Sequence, residues 1–289
     1  MSSRIPITKT PKCYVGGAFI RSESGRVAAL HDSSGTFVAN IPQCTRKDLR
    51  NAVESAAKAG AGWAKRSGYN RGQVLYRLAE MIEARNAEMI EALQVGGQPS
   101  AHAKTEVAAT VDRLIHYAGW ADKYEQMLGS VNAVASPHFN FTVTEPMGVI
   151  GIIAPDEAPM LALLSLIAPA ITCGNSVVAL ASTLHPYPAI LLGEMLATSD
   201  LPGGVVNLLT GQRVELIPTF ATHAHIRAIS GVANATERKT IKLGAADSVK
   251  RAKLRKSEDA TDWYDDKAQG LYEIRDLIEF KTTWHPVGA

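Results

Sequence analysis

Short and long apolar runs alternate in the middle of the chain and predict a βαβ unit. Val149–Ile153 is a short, mostly β-branched run that ends before Pro155, which is typical of a strand buried on both faces. An apolar segment of helical length, Pro159–Cys173, follows and stops at Gly174. Ser176–Ala181 predicts the next buried strand. This order favours a right-handed crossover between parallel strands.

The same alternation continues in the residues that follow this unit. The predicted helices and strands are, in chain order, a helix at Tyr187–Thr198, a strand at Val205–Leu209, a helix at Val214–Thr222, and strands at Ile226–Ser230 and Thr240–Leu243. Alternating elements with continuously apolar strands indicate an α/β fold with a doubly wound, mostly parallel sheet.

Helical periodicity dominates the region before the βαβ unit. Thr45, with Asp48 three residues later, is typical of a helix N-terminus. Apolar residues at helical spacing predict a second helix from Asn70 to about Leu93 and a third from about Lys104 to Met127. We expect the apolar faces of these helices to be buried in the core.

Two further segments alternate with period two, the pattern of half-exposed strands. They are Phe139–Thr144 and Ile278–Trp284. Two strands joined alone are marginally stable, and an open edge with an aromatic face invites another chain. The alternative is that both strands pair within the sheet of their own chain. The residues predicted to form an interface are Phe139, Phe141 and Val143 in the first segment and Ile278, Phe280, Thr282 and Trp284 in the second.

Composition narrows the class of protein without identifying a chemistry. The chain of 289 residues is long enough for one large domain or two small ones, and 46% hydrophobic and 20% charged residues are ordinary for a globular protein. A net charge of +2 gives no reason to expect nucleic acid as a partner. Residues 246–270 are first basic and then acidic, which predicts a solvated linker.

Features of localisation favour a cytoplasmic protein without a membrane partner. The N-terminus lacks an apolar leader segment, so we expect no secretion. The apolar run that ends at Cys173 is interrupted by Pro159 and Pro169 and is shorter than the ~20 residues of a membrane span, so a buried helix is expected. The chain has only three cysteines, Cys13, Cys44 and Cys173, and so low a number fits a reducing compartment.

The stretch 145–186 resembles the start of the coenzyme domain of the aldehyde dehydrogenase superfamily. The matching positions are Glu145, Pro146, Gly148, Val149, Gly151, Pro155, Pro159, Pro169, Ala170, Gly174, Asn175, Val177, Val178 and Pro186. Residues 278–284 resemble the strand that closes many chains of this family and pairs there with an oligomerisation arm. The chain looks most like the truncated C-terminal pseudo-domain of the double-domain (family sixteen) aldehyde dehydrogenases.

The resemblance implies a division of the chain into three parts. Residues 1–128 and 147–245 would form the Rossmann-like coenzyme-binding domain, and 129–146 with 271–289 the antiparallel oligomerisation arm and tail. The linker 246–270 would stand in place of the catalytic domain of the family. The implied fold is therefore an aldehyde dehydrogenase fold without its catalytic domain.

The resemblance also implies that the catalytic residues are missing. The family nucleophile is a cysteine of the catalytic domain, whereas no cysteine follows Cys173 here, and this residue is expected to be a small core residue. Lys242 stands where the alignment places the general-base glutamate, and Glu157 where it places the oxyanion-binding asparagine. We therefore expect no catalytic residue in this chain.

The positions that bind the coenzyme in the family have also changed. Leu180 replaces a lysine and Thr183 a glutamate, both of which contact the adenosine ribose there. Arg213 could still contribute a charge to a phosphate at a helix N-terminus. NAD is implied by the resemblance alone, and no cofactor is expected. The residues of the predicted vestigial cleft are Ile153, Ala154, Pro155, Leu180, Thr183, Gly211 and Ser230.

We therefore expect a non-catalytic subunit that supports or assembles with a full-length catalytic aldehyde dehydrogenase, or forms a homo-oligomer. The alternatives are an NAD(P)-dependent aldehyde dehydrogenase and a residual nucleotide- or metabolite-binding module. His223 and His225 form a pair without a third ligand nearby in sequence, so no metal site is expected.

Overall fold

The computed structural model describes residues 9–288, which form three sheets and the helices that cover them. The strands are β1 Cys13–Val15, β2 Ala18–Ile20, β3 Val27–His31, β4 Phe37–Pro42, β5 Ser130–Asn132, β6 His138–Pro146, β7 Val149–Ile153, β8 Ser176–Leu180, β9 Val206–Leu209, β10 Ile226–Ala233, β11 Arg251–Lys256 and β12 Ile278–Pro286. The helices are α1 Arg46–Ala64, α2 Gly68–Ala84, α3 Asn86–Val95, α4 Ser100–Trp120, α5 Tyr124–Leu128, α6 Leu161–Thr172, α7 Tyr187–Ala197, α8 Arg213–Thr222, α9 Ala235–Ala246 and α10 Leu271–Arg275.

The main sheet has seven strands in the order β11-β10-β7-β8-β9-β1-β2. The five strands β7 to β11 pair in parallel, while β1 and β2 extend the sheet with antiparallel pairing. Strands β3 and β4 form a separate two-stranded sheet. The predicted α/β fold with a doubly wound, mostly parallel sheet is confirmed.

The βαβ unit lies at the centre of the core. Every residue of β7, α6 and β8 is buried, which explains why these segments are apolar throughout rather than on one face. Gly174 adopts φ +90 and ends the helix. The N-terminus of α1 is confirmed as well, because Thr45 and Asp48 form a reciprocal capping box.

Two long helices predicted in the N-terminal region are each divided in the structure. The predicted Asn70–Leu93 helix is α2 and α3, which are separated at Arg85, whose φ of −117 leaves the helical range. The Arg85 guanidinium binds Glu88 and also Glu194 of α7. The spacing of apolar residues along the sequence does not predict this contact with a distant helix. The predicted helix from Lys104 to Met127 is α4 and α5.

The prediction of a strand at Thr240–Leu243 is wrong, because these residues belong to α9. Asn234 caps this helix in a reciprocal pair with Glu237, and its buried residues Ile241 and Ala245 are four apart. A capping box and an i, i+4 apolar pair are helix signals. The strand that follows β10 in the sheet is β11.

The prediction of a solvated linker at 246–270 is wrong at β11, which is an edge strand of the main sheet. On one side of β11, Ala252 and Leu254 pack against the core. The alternate side chains Lys253 and Arg255 form ion pairs with Glu273 of α10 at 2.9 and 2.8 Å. Lys253 and Arg255 therefore lie on one face of a strand, and their charges are neutralised within the chain.

The rest of that segment is also attached to the core. Trp263 and Ala268 are buried, and their carbonyl oxygens accept hydrogen bonds from the Arg113 guanidinium of α4 at 2.8 and 3.1 Å. Arg255 lies over the Trp263 ring at 5.1 Å. The division of the chain into coenzyme-type domain, arm and tail stays a prediction.

A separate three-stranded antiparallel sheet has the order β12-β6-β5. Its longest pairing joins β12 to β6 over nine residue pairs, from Ile278 opposite Pro146 to Pro286 opposite His138. The two period-two segments thus pair with each other, as the resemblance implies, in a sheet of their own chain that is separate from the main sheet.

Candidate functional site

The topology of the main sheet points to one crevice. The strands from β7 through β8 to β9 progress in one direction, whereas β10 lies on the other side of β7. In open α/β sheets, ligands bind at the carboxyl ends of the strands where the order reverses. That point lies between β7 and β10, where a cavity of about 270 Å³ opens. Its lining residues are Pro155, Asp156, Glu157, Arg213, Val232, Asn234, Glu237 and Ser257.

The Arg213 guanidinium bridges the two strands at this crevice. It donates to the Ala154 carbonyl at the end of β7 (2.8 Å) and to the Val232 carbonyl near the end of β10 (2.6 Å). It also binds both carboxylate oxygens of Glu237, each at 2.8 Å. The guanidinium is thus directed toward groups of its own chain. We expected Arg213 to contribute a charge to a phosphate, but Glu237 already neutralises that charge.

The N-terminus of α9 faces the same crevice and is occupied by its own side chains. Asn234 Oδ1 accepts from the Glu237 N–H, and Glu237 Oε2 accepts from the Asn234 N–H. Burial raises the pKa of Glu237, but hydrogen bonds from Arg213 and Asn234 lower it more, so the net shift is downward. Glu237 is therefore a carboxylate at neutral pH, in the position where a helix N-terminus favours an anion.

A second carboxylate organises the loop after β8. Asp156 Oδ1 accepts from Ser182 Oγ (2.6 Å), the Thr183 N–H (2.9 Å) and the Leu184 N–H (3.1 Å). The donors that follow this strand are thus directed at a carboxylate of the chain. Thr183 Oγ1 is buried and has no hydrogen-bond partner among the residues described.

Only one of the seven residues predicted for the vestigial cleft lines the cavity. That residue is Pro155. Ile153 and Leu180 are fully buried strand ends, and Ser230 is a buried residue inside β10, paired with Ile152 and Lys253.

Of the remaining predicted cleft residues, Ala154 and Thr183 contact residues that line the cavity, whereas Gly211 lies in a turn against Cys44. Ala154 contributes a carbonyl, and Thr183 lies in the loop held by Asp156. Gly211 has φ +155, and a Cβ there would lie 3.1 Å from the Cys44 carbonyl oxygen. Sequence reasoning missed Glu237, although the Asn234–Glu237 spacing is a recognisable capping box.

The structure changes the comparison with the family's catalytic positions at Lys242. Lys242 is an exposed residue of α9, so it does not occupy the strand that carries the glutamate in the family. The strand that follows this helix is β11, whose sequence RAKLRK contains no carboxylate. Glu157 borders the cavity, as expected from its place after β7. Burial raises the pKa of the Cys173 thiol to about 12, which makes this core residue a poor nucleophile.

The predicted interface residues lie in the three-stranded sheet, but on two opposite faces. Residues directly opposite in an antiparallel pair share a face. Phe280 and Trp284 stand opposite Thr144 and Asn140, whereas Phe139 stands opposite His285. Ile278 is fully buried and belongs to the core rather than to a surface.

The two faces differ in their polar content. On the face of Phe280 and Trp284, Thr142 Oγ1 lies 3.0 Å from Thr282 Oγ1 and accepts from Asn132. On the other face Phe139 and Phe141 stack at 5.4 Å between ring centroids, with Val131 opposite Phe141. Each face therefore exposes aromatic surface, from Phe280 and Trp284 on one face and from Phe139 on the other.

Two other predicted features yield no site within residues 9–288. The rings of His223 and His225 are 6.0 Å apart, and no group of three or more His, Cys, Asp and Glu residues in this part of the chain is placed to hold a metal ion. Among the helices of the same residues, none has the length and hydropathy required to cross a bilayer.

Comparison with curated proteins places the chain beside long dehydrogenases. Retinal dehydrogenase 2 of Mus musculus is 32% identical over 254 residues, which are 85% of this chain and 48% of that protein. Cytosolic 10-formyltetrahydrofolate dehydrogenase of Homo sapiens is 30% identical over 83% of this chain and 28% of its own length. Omega-crystallin of Enteroctopus dofleini is 28% identical over 87% of this chain and 51% of its length. The chain spans about half the length, or less, of these relatives.

Solved structures share the fold and the family model covers most of the sequence. The NAD⁺ complex of aldehyde dehydrogenase from Bacillus cereus superposes with a TM-score of 0.81 at 23% identity, over 86% of this chain and 51% of that one. Aldehyde dehydrogenase from Brucella melitensis biovar abortus 2308 gives 0.82 at 21%, over 89% and 53%. Residues 19–257 match the family described as the Aldehyde dehydrogenase family, and the chain belongs to that family.

Proposed function

We propose that this chain is a non-catalytic member of the aldehyde dehydrogenase family that assembles with a catalytic aldehyde dehydrogenase subunit. The observation that carries the proposal is the Arg213–Glu237 pair, which lines the crevice at the switch point of the sheet and neutralises its charges within the chain. The absence of a reactive side chain at the family positions and the exposed aromatic faces of the three-stranded sheet support it.

The crevice is poorly suited to the dinucleotide that the family fold implies. A pyrophosphate at the N-terminus of α9 would meet the Glu237 carboxylate, while Asp156 and Glu157 add negative charge to the lining. Arg213 has no free charge to offset them, because it already binds Glu237. Like charges in a site of low dielectric cost several kcal/mol. These residues do not fit NAD, and no step of a reaction is derived through it.

The thiols support catalytic silence for a different reason. Cys13, Cys44 and Cys173 are all buried. Cysteine acts as a nucleophile through its thiolate, and burial raises the pKa of the Cys173 thiol. Cys13 and Cys44 are 1% and 0% exposed, which leaves their sulfur atoms no surface for an aldehyde to contact. The loss of a nucleophile of this kind costs ~10⁶ in rate in a serine protease, where it has been measured.

Assembly is the role for which the chain retains surface. Phe280 and Trp284 are 48% and 57% exposed on one face of the three-stranded sheet, and Phe139 is 46% exposed on the other. An edge strand with exposed aromatic residues can add to the sheet of another chain, where main-chain hydrogen bonds supply affinity. A catalytic aldehyde dehydrogenase with the same arm offers a matching sheet.

The test combines assembly with activity. The full chain, alone and mixed with a full-length aldehyde dehydrogenase from the same organism, is analysed by size-exclusion chromatography with light scattering. We expect a mixed complex, together with no aldehyde oxidation and no NAD binding tighter than ~1 mM by the chain alone. A monomer that binds no partner rejects the assembly role. Cysteine-dependent aldehyde oxidation by the isolated chain rejects the non-catalytic role.

A pair of variants locates the surface. Phe280→Asp places a carboxylate on the exposed aromatic face of β12 and is expected to dissociate the complex without altering the helical circular dichroism signal. Tyr76→Asp makes the same kind of change at a residue of α2 that is 51% exposed, and serves as the matched control. Equal weakening by both variants contradicts the assignment to the sheet.

A further inference from the structure

Two cysteine thiols face each other in the core near the β1 side of the main sheet. Cys13 lies in β1, and Cys44 directly precedes the residue that caps α1. Their sulfur atoms are 3.4 Å apart, and the side chains are 1% and 0% exposed. A covalent S–S bond is about 2.0 Å long. The sulfurs are thus in van der Waals contact as free thiols, and they must approach each other by about 1.4 Å to form the bond.

A third polar group fixes the pair. Thr210 Oγ1 lies 3.3 Å from Cys13 Sγ and donates to the Pro42 carbonyl, while the Thr210 carbonyl accepts from the Cys44 N–H at 2.9 Å. The hydrogen bond from Cys44 lowers the pKa of Cys13, and its counterpart raises the pKa of Cys44. Of the two thiols, Cys13 is therefore the one that loses its proton more readily, with Cys44 as its hydrogen-bond partner.

We propose that Cys13 and Cys44 are a redox modification site, which a hydroperoxide converts to a reversible intramolecular disulfide. The Cys13 thiolate attacks one peroxide oxygen and the O–O bond breaks, which gives a sulfenic acid and a hydroxide that takes the Cys44 proton to become water. The Cys44 thiolate then attacks the Cys13 sulfur, and hydroxide leaves and is protonated from solvent. Two thiols are oxidised and one hydrogen peroxide is reduced to two waters.

The position of the bond gives it a structural consequence. A Cβ added to Gly211 would lie 3.1 Å from the Cys44 carbonyl, so the pair sits directly beneath the turn that follows β9. Between the two cysteines lie β2, β3 and β4. A cross-link there closes this part of the chain into a loop and fastens β1 to the start of α1. Closing a loop of this length stabilises the folded state by restricting the unfolded chain.

The third cysteine is an internal control. Cys173 Sγ lies 3.2 Å from the Pro169 carbonyl and accepts from Asn175 Nδ2 at 3.1 Å, so its neighbours are backbone and amide groups rather than a thiol. It is as deeply buried as the pair. Cys173 therefore matches Cys13 and Cys44 in burial but has no second sulfur beside it.

The experiment titrates the full, folded chain with hydrogen peroxide. Intact mass is expected to fall by about 2 Da, dithiothreitol is expected to reverse the change, and non-reducing peptide mapping is expected to link Cys13 to Cys44. The oxidised chain is expected to melt about 5 °C higher than the reduced chain. A native chain whose thiols stay unlinked, or a disulfide that includes Cys173 or a second chain, overturns the proposal.

Two serine variants separate the roles of the sulfurs. Cys173→Ser is expected to form the disulfide as the wild type does. Cys44→Ser is expected to lose it and to leave Cys13 as a sulfenic acid that a cyclic dione traps. If Cys44→Ser lacks the native circular dichroism signal, peptide mapping of the wild type and of Cys173→Ser decides the question by itself.

Discussion

The crevice between β7 and β10 and the three-stranded sheet treat their functional groups in opposite ways. In the crevice, Arg213 has protein partners for its donors and Glu237 receives both a guanidinium and an N–H. In the sheet, Phe280 and Trp284 keep about half of their surface exposed. The chain pairs its own charged groups in the crevice and leaves aromatic surface exposed on the three-stranded sheet.

The physical basis of the difference lies in what each region has to compensate. A mostly buried charge is costly unless it is paired and hydrogen-bonded, so a crevice without a ligand requires an internal counterion. An exposed aromatic ring has no comparable penalty, because much of any protein surface is apolar. Substitutions in the crevice are therefore expected to change folding stability, and substitutions on the three-stranded sheet to change association.

The largest effect is expected from breaking the charge pair in the crevice. Arg213→Met leaves the mostly buried Glu237 carboxylate and two carbonyl oxygens without their partner, so the free energy of unfolding should fall by about 3 kcal/mol in urea denaturation. Arg77→Met, which removes an exposed ion pair with Glu80, is the control, and its cost should stay below about 0.5 kcal/mol. Equal losses would show that the ion pair in the crevice contributes no more to stability than an exposed one.

The two faces of the sheet provide the next test. Phe139→Asp and Phe280→Asp place a carboxylate on opposite faces of the same three strands. If the partner covers both faces, each variant should weaken the complex by about 30-fold, or ~2 kcal/mol. Titration by light scattering or calorimetry measures both. An effect of only one variant assigns the interface to that face, and no effect of either removes the sheet from the interface.

Lys250 extends the comparison to a buried cation. It is 7% exposed and donates to the Ala221 and His223 carbonyls at the end of α8, and burial lowers its pKa to about 8. Between that value and the unfolded value of ~10.4, the unfolded chain binds more protons than the folded chain. The free energy of unfolding should therefore rise by about 2 kcal/mol from pH 8 to pH 10.

Substitution isolates the contribution of this lysine. Lys250→Met should flatten the pH dependence of urea denaturation in this range, whereas Lys242→Met, at an exposed position of α9, should leave it unchanged. A slope that persists in Lys250→Met assigns the effect to other groups.

The smallest expected effect concerns restoring the family residues in the cleft. Leu180→Lys with Thr183→Glu returns the two ribose-contacting residue types implied by the resemblance. Leu180 is fully buried, and the Arg213–Glu237 pair remains in place, so NAD affinity should stay weaker than ~1 mM in calorimetry. Micromolar binding by the double variant would show that the crevice is open to a dinucleotide after all.

Much of the fold could be predicted because its signals are local. The continuous apolar runs of β7, α6 and β8 reflect burial on all sides, and Thr45 with Asp48 marks a helix start within three residues. The period-two pattern of β6 and β12 identified both strands of the small sheet. The resemblance to the family added their pairing.

What only the tertiary structure decided depends on groups that are far apart in sequence. The basic residues of β11 read as a solvated segment until α10 supplies their counterions, and Arg213 reads as a free charge until α9 brings Glu237 to it. The aromatic residues of β6 and β12 read as one surface until the register places them on opposite faces. A local pattern records how a residue is exposed along its own element, whereas the partner of a charge and the register of a strand are properties of two elements at once.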